Sequence, residues 1–373
     1  MTLKKIRTLV VDDSAVIREI ICDVFADTSD IEVVGTAKDG KDALNQIPSL
    51  QPDVVTLDVQ MPHLDGLQTL DAILKKDPIP VVMVSALTQR AADTTLAALD
   101  QGALDYVAKP DGVNEARKTF QEELVRKVRS ASGTDVRRVL QIRNERQQRI
   151  DARRSKRQSS IAEKSQTSVH LKDKILAIGI STGGPPALTQ LFSSLQPPMP
   201  PIVVVQHMPG QFTGPFSGRL DSVSELSIKE AETGDVLRPD HVLIAPGGKH
   251  LHLEKRGSTV RAAVRDGENV SGHKPSVDVM MSCAAEIFGD RCLGVIMTGM
   301  GRDGADGCGR IRENGGYVLG QDQATSDVYG MNKVAYLEGH VDRQFALEDG
   351  PELLRSQMDR LWKNNVSELA TRS

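Results

Sequence analysis

KILAIGISTGGPP, residues 174–186, reads as a buried strand that breaks at a glycine-framed serine and then turns into a helix. Its apolar run is continuous rather than alternating, so both strand faces are covered, as in a parallel sheet between helical layers. Gly179, Ser181 and Gly183 form a G-x-S-x-G pattern. Pro185 and Pro186 suit a first helical turn, where a missing N–H costs little. Working outward, PIVVVQ (201–206), HVLIA (241–245) and LGVIM (293–297) read as further buried strands. Helical patterns cover 186–195, 277–288 and 305–314. HLHLE (250–254) and TVRAAVR (259–265) alternate with period two and fit an antiparallel hairpin, which leaves a mixed sheet open.

The N-terminal block follows the same grammar. Short Val/Ile-rich runs at 6–11, 31–37, 54–57, 80–85 and 105–108 read as buried strands. Between the first two, Val16, Ile17, Ile20, Ile21, Val24 and Phe25 share one helical face, and Phe120, Leu124 and Val128 make an apolar stripe after the last. The expected fold class is α/β: two doubly wound three-layer domains, the first a (βα)5 unit. The expected boundaries are 1–125, a basic polar linker at 126–170, and a second domain at 171–365. The linker contains RRVLQIRNERQQRIDARRSKRQSSIAEKSQTSVH (137–170) and reads as a solvated connection, with a basic docking arm for an acidic partner as the alternative.

Composition excludes several classes. The chain has 373 residues, a net charge of −4 and only 3% aromatic residues, which gives no global attraction to nucleic acid or anionic membranes and few stacking platforms. Its four cysteines form no C-x-x-C pair and no zinc spacing. No apolar stretch approaches the roughly 20 residues of a membrane helix. MTLKKIRTLVVDDS, residues 1–14, reads as a first strand rather than a secretory signal. A cytoplasmic protein with no membrane insertion and no nucleic-acid partner is expected.

In the first block, Asp12 and Asp13 end the first strand, Asp58 the third, Ser85 the fourth and Lys109 the fifth. Parallel strands bring all of these to one sheet edge, where doubly wound folds bind ligands. A carboxylate can attack phosphorus, clustered carboxylates suit Mg²⁺, and a hydroxyl and an ammonium can hold phosphoryl oxygens. VVDDS (10–14), LDVQMPHLDG (57–66), VSA (84–86) and DYVAKP (105–110) resemble the receiver domain of two-component response regulators. The resemblance implies Asp58 as phosphoacceptor, with Mg²⁺ held by Asp12, Asp13, Asp58 and the backbone carbonyl of Gln60. It implies Ser85 and Tyr106 as the switch pair, Lys109 as a phosphoryl contact, and a histidine kinase as phosphodonor.

In the second block, Ser181, His207 and Asp303 each lie just past a strand end, the combination that serine-based acyl transfer needs. A phosphate-binding glycine loop competes with this reading at 179–184, although no Lys follows the glycines and G-x-G-x-x-G is absent. The order Ser…His…Asp departs from the Ser…Asp…His order of α/β-hydrolases. His250, His252, His273 and His340 have no comparable context and read as ordinary polar residues.

The stretch from 174 to 358 is similar to the catalytic domain of the chemotaxis protein-glutamate methylesterases, the CheB type. The motifs are IGISTGGP (178–185), VQHMP (205–209), IAPGGKH (244–250), KPSVDVM (274–280) and TGMGRDGA (298–305). The resemblance implies Ser181 as nucleophile, His207 as general base then acid, and Asp303 as the orienting carboxylate. The backbone around Met300 and Thr182 would help form the oxyanion site. It further implies methyl-esterified glutamates of chemoreceptors as substrates, deamidation of receptor glutamines and no cofactor for ester hydrolysis. The pairing of a switch domain with a hydrolase leads to the expectation that the receiver covers the Ser181 cleft until Asp58 is phosphorylated. A related esterase acting on a methylated signalling protein outside chemotaxis is the alternative. VYGMNK (328–333) has Asn332 where the family usually has Pro, and the linker is longer and more basic than the family pattern.

Overall fold

The computed structural model describes residues 4–86, 88–110, 114–145 and 171–362. It divides into two compact units, one ending at Asn144 and one beginning at Glu145.

In the first unit, β1 (Ile6–Val11), β2 (Ile31–Ala37), β3 (Val54–Asp58), β4 (Val81–Ser85) and β5 (Asp105–Ala108) form one sheet in the order β2-β1-β3-β4-β5. Every pairing is parallel. The helices α1 (Ala15–Ala26), α2 (Gly40–Leu50), α3 (Gly66–Lys76), α4 (Gln89–Gln101) and α5 (Asn114–Ser132) connect and cover it. Local chemistry starts these helices on time. Ser14 Oγ accepts the Ile17 N–H at the head of α1, and Asp65 and Gln68 close a reciprocal capping box on α3. Chain order reverses beside β1, so the crevice opens between the ends of β1 and β3, which carry Asp12 and Asp58.

The boundary expected at residue 125 falls inside α5, which continues to Ser132. A further helix, α6 (136–145), follows. Val128, Ala131, Val136 and Val139 are buried in the same core as Val10, Phe25 and Val82, so 126–144 belongs to the first unit and not to a solvated linker. The basic run at 146–170 lies outside the described residues, as do 363–365.

In the second unit, β6 (Ile175–Ile180), β7 (Ile202–Gln206), β8 (Ser227–Glu230), β9 (His241–Ile244), β12 (Cys292–Ile296), β13 (Tyr317–Gln321) and β14 (Arg343–Phe345) form a seven-stranded sheet, ordered β14-β13-β12-β6-β7-β9-β8. All its pairings are parallel. Among the strands of the described residues, antiparallel pairing is confined to the separate hairpin of β10 (His250–Arg256) and β11 (Thr259–Arg265), and isolated antiparallel bridges join Val236 to Arg261 and Val270 to His273. The helices are α7 (Gly184–Phe192), α8 (Gly210–Val223), α9 (Val277–Phe288), α10 (Ala305–Glu313), α11 (Met331–Leu337) and α12 (Gly350–Trp362). Leu251, Leu253 and Ala262 of the hairpin share a core with Met280, Met281 and Ala284 of α9, so the hairpin adds a layer over that helix. The direction of winding reverses beside β6: β7 lies on one side and β12 on the other, and the crevice falls above these three strand ends.

Candidate active site

Above that crevice, Ser181, His207 and Asp303 meet. The ladder carries β6 and β7 in register up to Ile180 and Gln206, and the next residue of each strand is Ser181 and His207. Ser181 N–H donates to Thr298 O at 3.0 Å, which ties the serine turn to the end of β12. The turn itself needs glycine: Gly183 has φ +77°, and a Cβ there would lie 2.7 Å from Asp327 Cβ.

His207 Nδ1 lies 3.1 Å from Ser181 Oγ, and His207 Nε2 lies 2.7 Å from Asp303 Oδ2. A carboxylate only accepts, so Nε2 carries the proton and Nδ1 keeps a lone pair for the serine hydroxyl. Asp303 is fully buried, and its charge is met by donors at the head of α9. Oδ1 accepts Ser276 Oγ–H at 2.7 Å and Asp278 N–H at 3.1 Å, and Oδ2 also accepts Val277 N–H at 2.7 Å. A helix N-terminus is a natural seat for an anion. Behind it, Asp278 accepts from Gly304 N–H and Gly307 N–H at 2.8 Å each and from Ser271 Oγ–H at 2.7 Å. Burial raises the Asp278 carboxyl above the ordinary range, and the neighbouring Asp303 charge adds to this.

Thr182 is buried, and its carbonyl accepts Thr298 Oγ1–H at 2.9 Å. Met300 follows Gly299, where a Cβ would lie 2.7 Å from Ser181 Cβ, so this backbone passes directly beside the serine. Gly299 is held on both sides, by Gly299 N–H to Val328 O at 3.0 Å and Met331 N–H to Gly299 O at 2.8 Å.

Two histidines that read in sequence as ordinary polar residues have structural business here. The His273 ring stacks on His207, with centroids 3.7 Å apart and planes 9° from parallel. Buried His250 accepts the Ser276 N–H at 3.2 Å, beneath the residue that caps α9 and holds Asp303. Ser276 was legible as a helix start, because it precedes an apolar run. That its helix aims at Asp303 was not. His252 contacts Cys283, at 3.6 Å, and His340 Nδ1 bonds Ala305 O at 2.8 Å.

The first unit gathers its own cluster. Ligand oxygens of Asp12, Asp13 and Asp58 lie within 4.8 Å of one another, an all-oxygen set of the kind a hard divalent cation takes. Lys109 Nζ bridges Asp12 Oδ2 at 2.8 Å and Asp58 Oδ2 at 2.9 Å. Burial pushes the Asp58 carboxyl up to about 6, against the pull of the Lys109 ammonium. Burial alone would lower the Lys109 ammonium, but its hydrogen bond to Asp12 and the Asp58 charge outweigh this and raise it. Asp58 Oδ1 also accepts the Gln60 N–H at 3.4 Å. Ser85 Oγ is bonded to Thr95 Oγ1 at 2.8 Å rather than to Asp58. Tyr106 is buried, and Lys127 pins it: the ammonium lies 4.8 Å from the ring centroid, donates to Tyr106 O at 2.5 Å and pairs with Asp105 at 3.0 Å.

Comparison with known proteins agrees with both halves. The CheB methylesterase family model matches residues 176–354, and the response regulator receiver domain model matches residues 8–121. A protein-glutamate methylesterase/protein-glutamine glutaminase of Sulfurimonas denitrificans is 42% identical over 90% of this chain and 94% of its own length. One from Pyrococcus abyssi is 41% identical over 94% of this chain and 93% of its own. The Thermotoga maritima CheB methylesterase catalytic domain structure, 41% identical, covers 48% of this chain and 96% of its own, with a TM-score of 0.48. Fold and site thus define a response regulator whose output half is a hydrolytic enzyme. The chain belongs to the CheB methylesterase family. Among the described residues, no helix is long and apolar enough to cross a membrane.

Proposed function

We propose that this protein removes methyl groups from glutamate methyl esters on chemoreceptors, under control of its receiver. The hydrogen-bonded chain Ser181–His207–Asp303 carries this reading. Ser181 Oγ attacks the ester carbonyl as His207 Nδ1 takes its proton, and Asp303 stabilises the imidazolium through Nε2. The tetrahedral oxyanion forms beside Thr182 and the Met300 backbone. Its collapse expels methanol, which takes the proton back from His207. Water, deprotonated by the same imidazole, then attacks the acyl-enzyme and releases glutamate and free Ser181. A receptor glutamine side chain passes through the same intermediates and loses ammonia, the glutaminase half of the relatives' name. The ester reaction needs no cofactor.

In the receiver, Asp58 takes the phosphoryl group from a histidine kinase, and Asp12, Asp13 and Asp58, with the Gln60 carbonyl, would hold Mg²⁺. When bound, Mg²⁺ offsets charge on the phosphoryl oxygens. Lys109 and Ser85 then engage those oxygens, and Tyr106 repacks. Phosphorylation of the receiver raises the rate of the hydrolase. The receiver extends to residue 144, and the described residues of the catalytic domain are 171–362. A cytoplasmic location and chemoreceptor partners follow from this role. The test is methanol release from methyl-labelled receptor membranes. Wild type should release it, faster with acetyl phosphate and Mg²⁺, and Asp58→Asn should lose only the acceleration. Ser181→Ala should fall by about 10⁴-fold or more. Undiminished release by Ser181→Ala would overturn the reading.

A further inference from the structure

Gln206 sits at the last rung of the β6–β7 ladder, paired with Ile180, and its side chain is almost wholly buried. Its Nε2 donates to Ser181 O at 3.0 Å and to His207 O at 3.1 Å. Both amide protons are therefore spent on the main-chain carbonyls of the two residues where the strands diverge. The amide adds one more cross-link after the sheet has ended. Ser181 O accepts a second bond, from Gly184 N–H at 2.8 Å, so the serine turn is held from both sides.

Two observations mark this amide as more than a space-filling polar group. Gln206 Oε1 is buried with no hydrogen-bond partner among the described residues. Leaving a buried acceptor unmet is costly, so such a group in a native structure calls for a compensating gain. The second is Gly184. Unlike Gly183, it is absent from the positive-φ glycines, so its backbone does not demand glycine. A Cβ there would nevertheless lie 1.9 Å from Gln206 Oε1 and 2.9 Å from its Cδ. The amide cannot swing away without dropping both carbonyls. Gly184 is a glycine because the amide occupies its side-chain space.

We infer that Gln206 is a positioning residue: its amide fixes the 3.1 Å approach of His207 Nδ1 to Ser181 Oγ, and Gly184 exists to admit it. The inference rests on the proposed roles of Ser181 and His207. Misplacing reacting groups by about 1 Å costs up to about 10²-fold in rate.

The test uses the full-length protein, methanol release from methyl-labelled receptor membranes, and covalent labelling of Ser181 by a sulfonyl fluoride. Gln206→Met keeps length and removes both donors. It should lower kcat and the labelling rate together, by about 10- to 100-fold, with KM within about two-fold of wild type. Gly184→Ala should do the same. The double variant Gln206→Ala/Gly184→Ala should be within about two-fold of Gln206→Ala alone, because the closest collision partner is gone and only Ile180 Cγ1, at 3.0 Å, must give; simple loss of fold would not give that non-additivity. Wild-type kcat in Gln206→Met, or additive losses in the double variant, would overturn the inference. Ser181→Ala run alongside separates the cases: if it stays active, the proposed function itself has failed, whereas an inactive Ser181→Ala beside a fully active Gln206→Met refutes only the role of the amide.

Discussion

The His273 ring lies flat on the His207 ring, 3.7 Å from centroid to centroid. The bonds to Ser181 and Asp303 grip His207 at Nδ1 and Nε2, along one axis of the ring. Neither bond resists rotation about that axis. A second ring on the face does, and it also keeps water from that face. Stacked rings contribute about 0.5–1.5 kcal/mol beyond area burial, which is about two- to ten-fold in rate if expressed in the transition state. His273→Ala should therefore lower kcat by about two- to ten-fold, and His273→Phe should recover most of it. Equal activity in wild type and His273→Ala would remove this role.

Asp303 offers a sharper test, because everything around it donates. Ser276 Oγ, Val277 N, Asp278 N and His207 Nε2 all point hydrogens at its two oxygens. In Asp303→Asn one oxygen becomes an NH₂ with no acceptor to meet. If that NH₂ faces His207, Nε2 must accept, and the proton moves to Nδ1, where it blocks transfer from Ser181. An amide at this position of a serine triad typically lowers kcat by about 10⁴-fold. The same loss is expected here in methanol release, with the substitution isosteric enough to keep the fold. Ser276→Ala is milder. It loses a helix cap worth about 1 kcal/mol, which urea unfolding would report as a lower midpoint.

The parts of this architecture legible in sequence are those fixed by parallel strands. Val/Ile runs buried on both faces announce themselves, and every residue one step past such a run lands on the same edge. That is why Asp12, Asp58 and Lys109 in the first unit, and Ser181 and His207 in the second, could each be picked out; Asp303 lies further along the loop that follows β12. Apart from the apolar strand Tyr317–Gln321, which went unrecognised in the sequence, what stayed hidden was weakly apolar or built at long range. Ser227–Glu230 and Arg343–Phe345 are short edge strands with few apolar residues, and α8 carries an internal Pro215. Residues 126–144 look like linker because Val128, Ala131, Val136 and Val139 are sparse among arginines, yet that sparse face is enough to reach the core. Ser276 and Asp303 are separated by 27 residues, and no local pattern records that one caps a helix aimed at the other. His273 belonged to no strand end and so gave no signal.

Asp58 should make the receiver's stability depend on pH in a definite direction. Its carboxyl titrates at about 6 in the folded state, against an ordinary value of 3.8. Below 3.8 both states are protonated and the group contributes nothing. Between the two values the folded state binds more protons than the unfolded one, so stability falls as pH rises, and above about 6 the loss is complete. A tenfold change in proton affinity is worth about 1.4 kcal/mol, which puts the loss at a few kcal/mol at most. Asp58→Asn should therefore raise the melting temperature at pH 7.5 and flatten the profile between pH 4 and pH 6. Added Mg²⁺ should raise the wild-type melting temperature at pH 7.5 and leave the variant nearly unmoved. A variant that melts lower than wild type at pH 7.5 would contradict the burial account.

Asn332 occupies a position in the first turn of α11. Its side chain is fully buried, and Nδ2 donates to Gln321 O and Ser326 Oγ, both at 2.8 Å. Gln321 in turn accepts the Thr298 N–H at 2.9 Å, and Thr298 bonds the Thr182 carbonyl. Asn332 thus stands behind the strap that reaches the serine, without touching it. Backbone N–H groups in a first turn have no partner within the helix, so Pro fits there without breaking the ladder. Asn332→Pro forfeits two hydrogen bonds but also removes Oδ1, which is buried without a partner among the described residues. The opposing terms predict a stability change within about 1 kcal/mol and kcat within about two-fold of wild type. Asn332→Asp changes one group and reverses the chemistry. It sets a carboxylate oxygen against the Gln321 carbonyl in a dry site, where an unpaired charge costs several kcal/mol. Urea unfolding should place Asn332→Pro beside wild type and Asn332→Asp well below it. The reverse order would mean that the amide's two bonds, and not its burial, decide what this position tolerates.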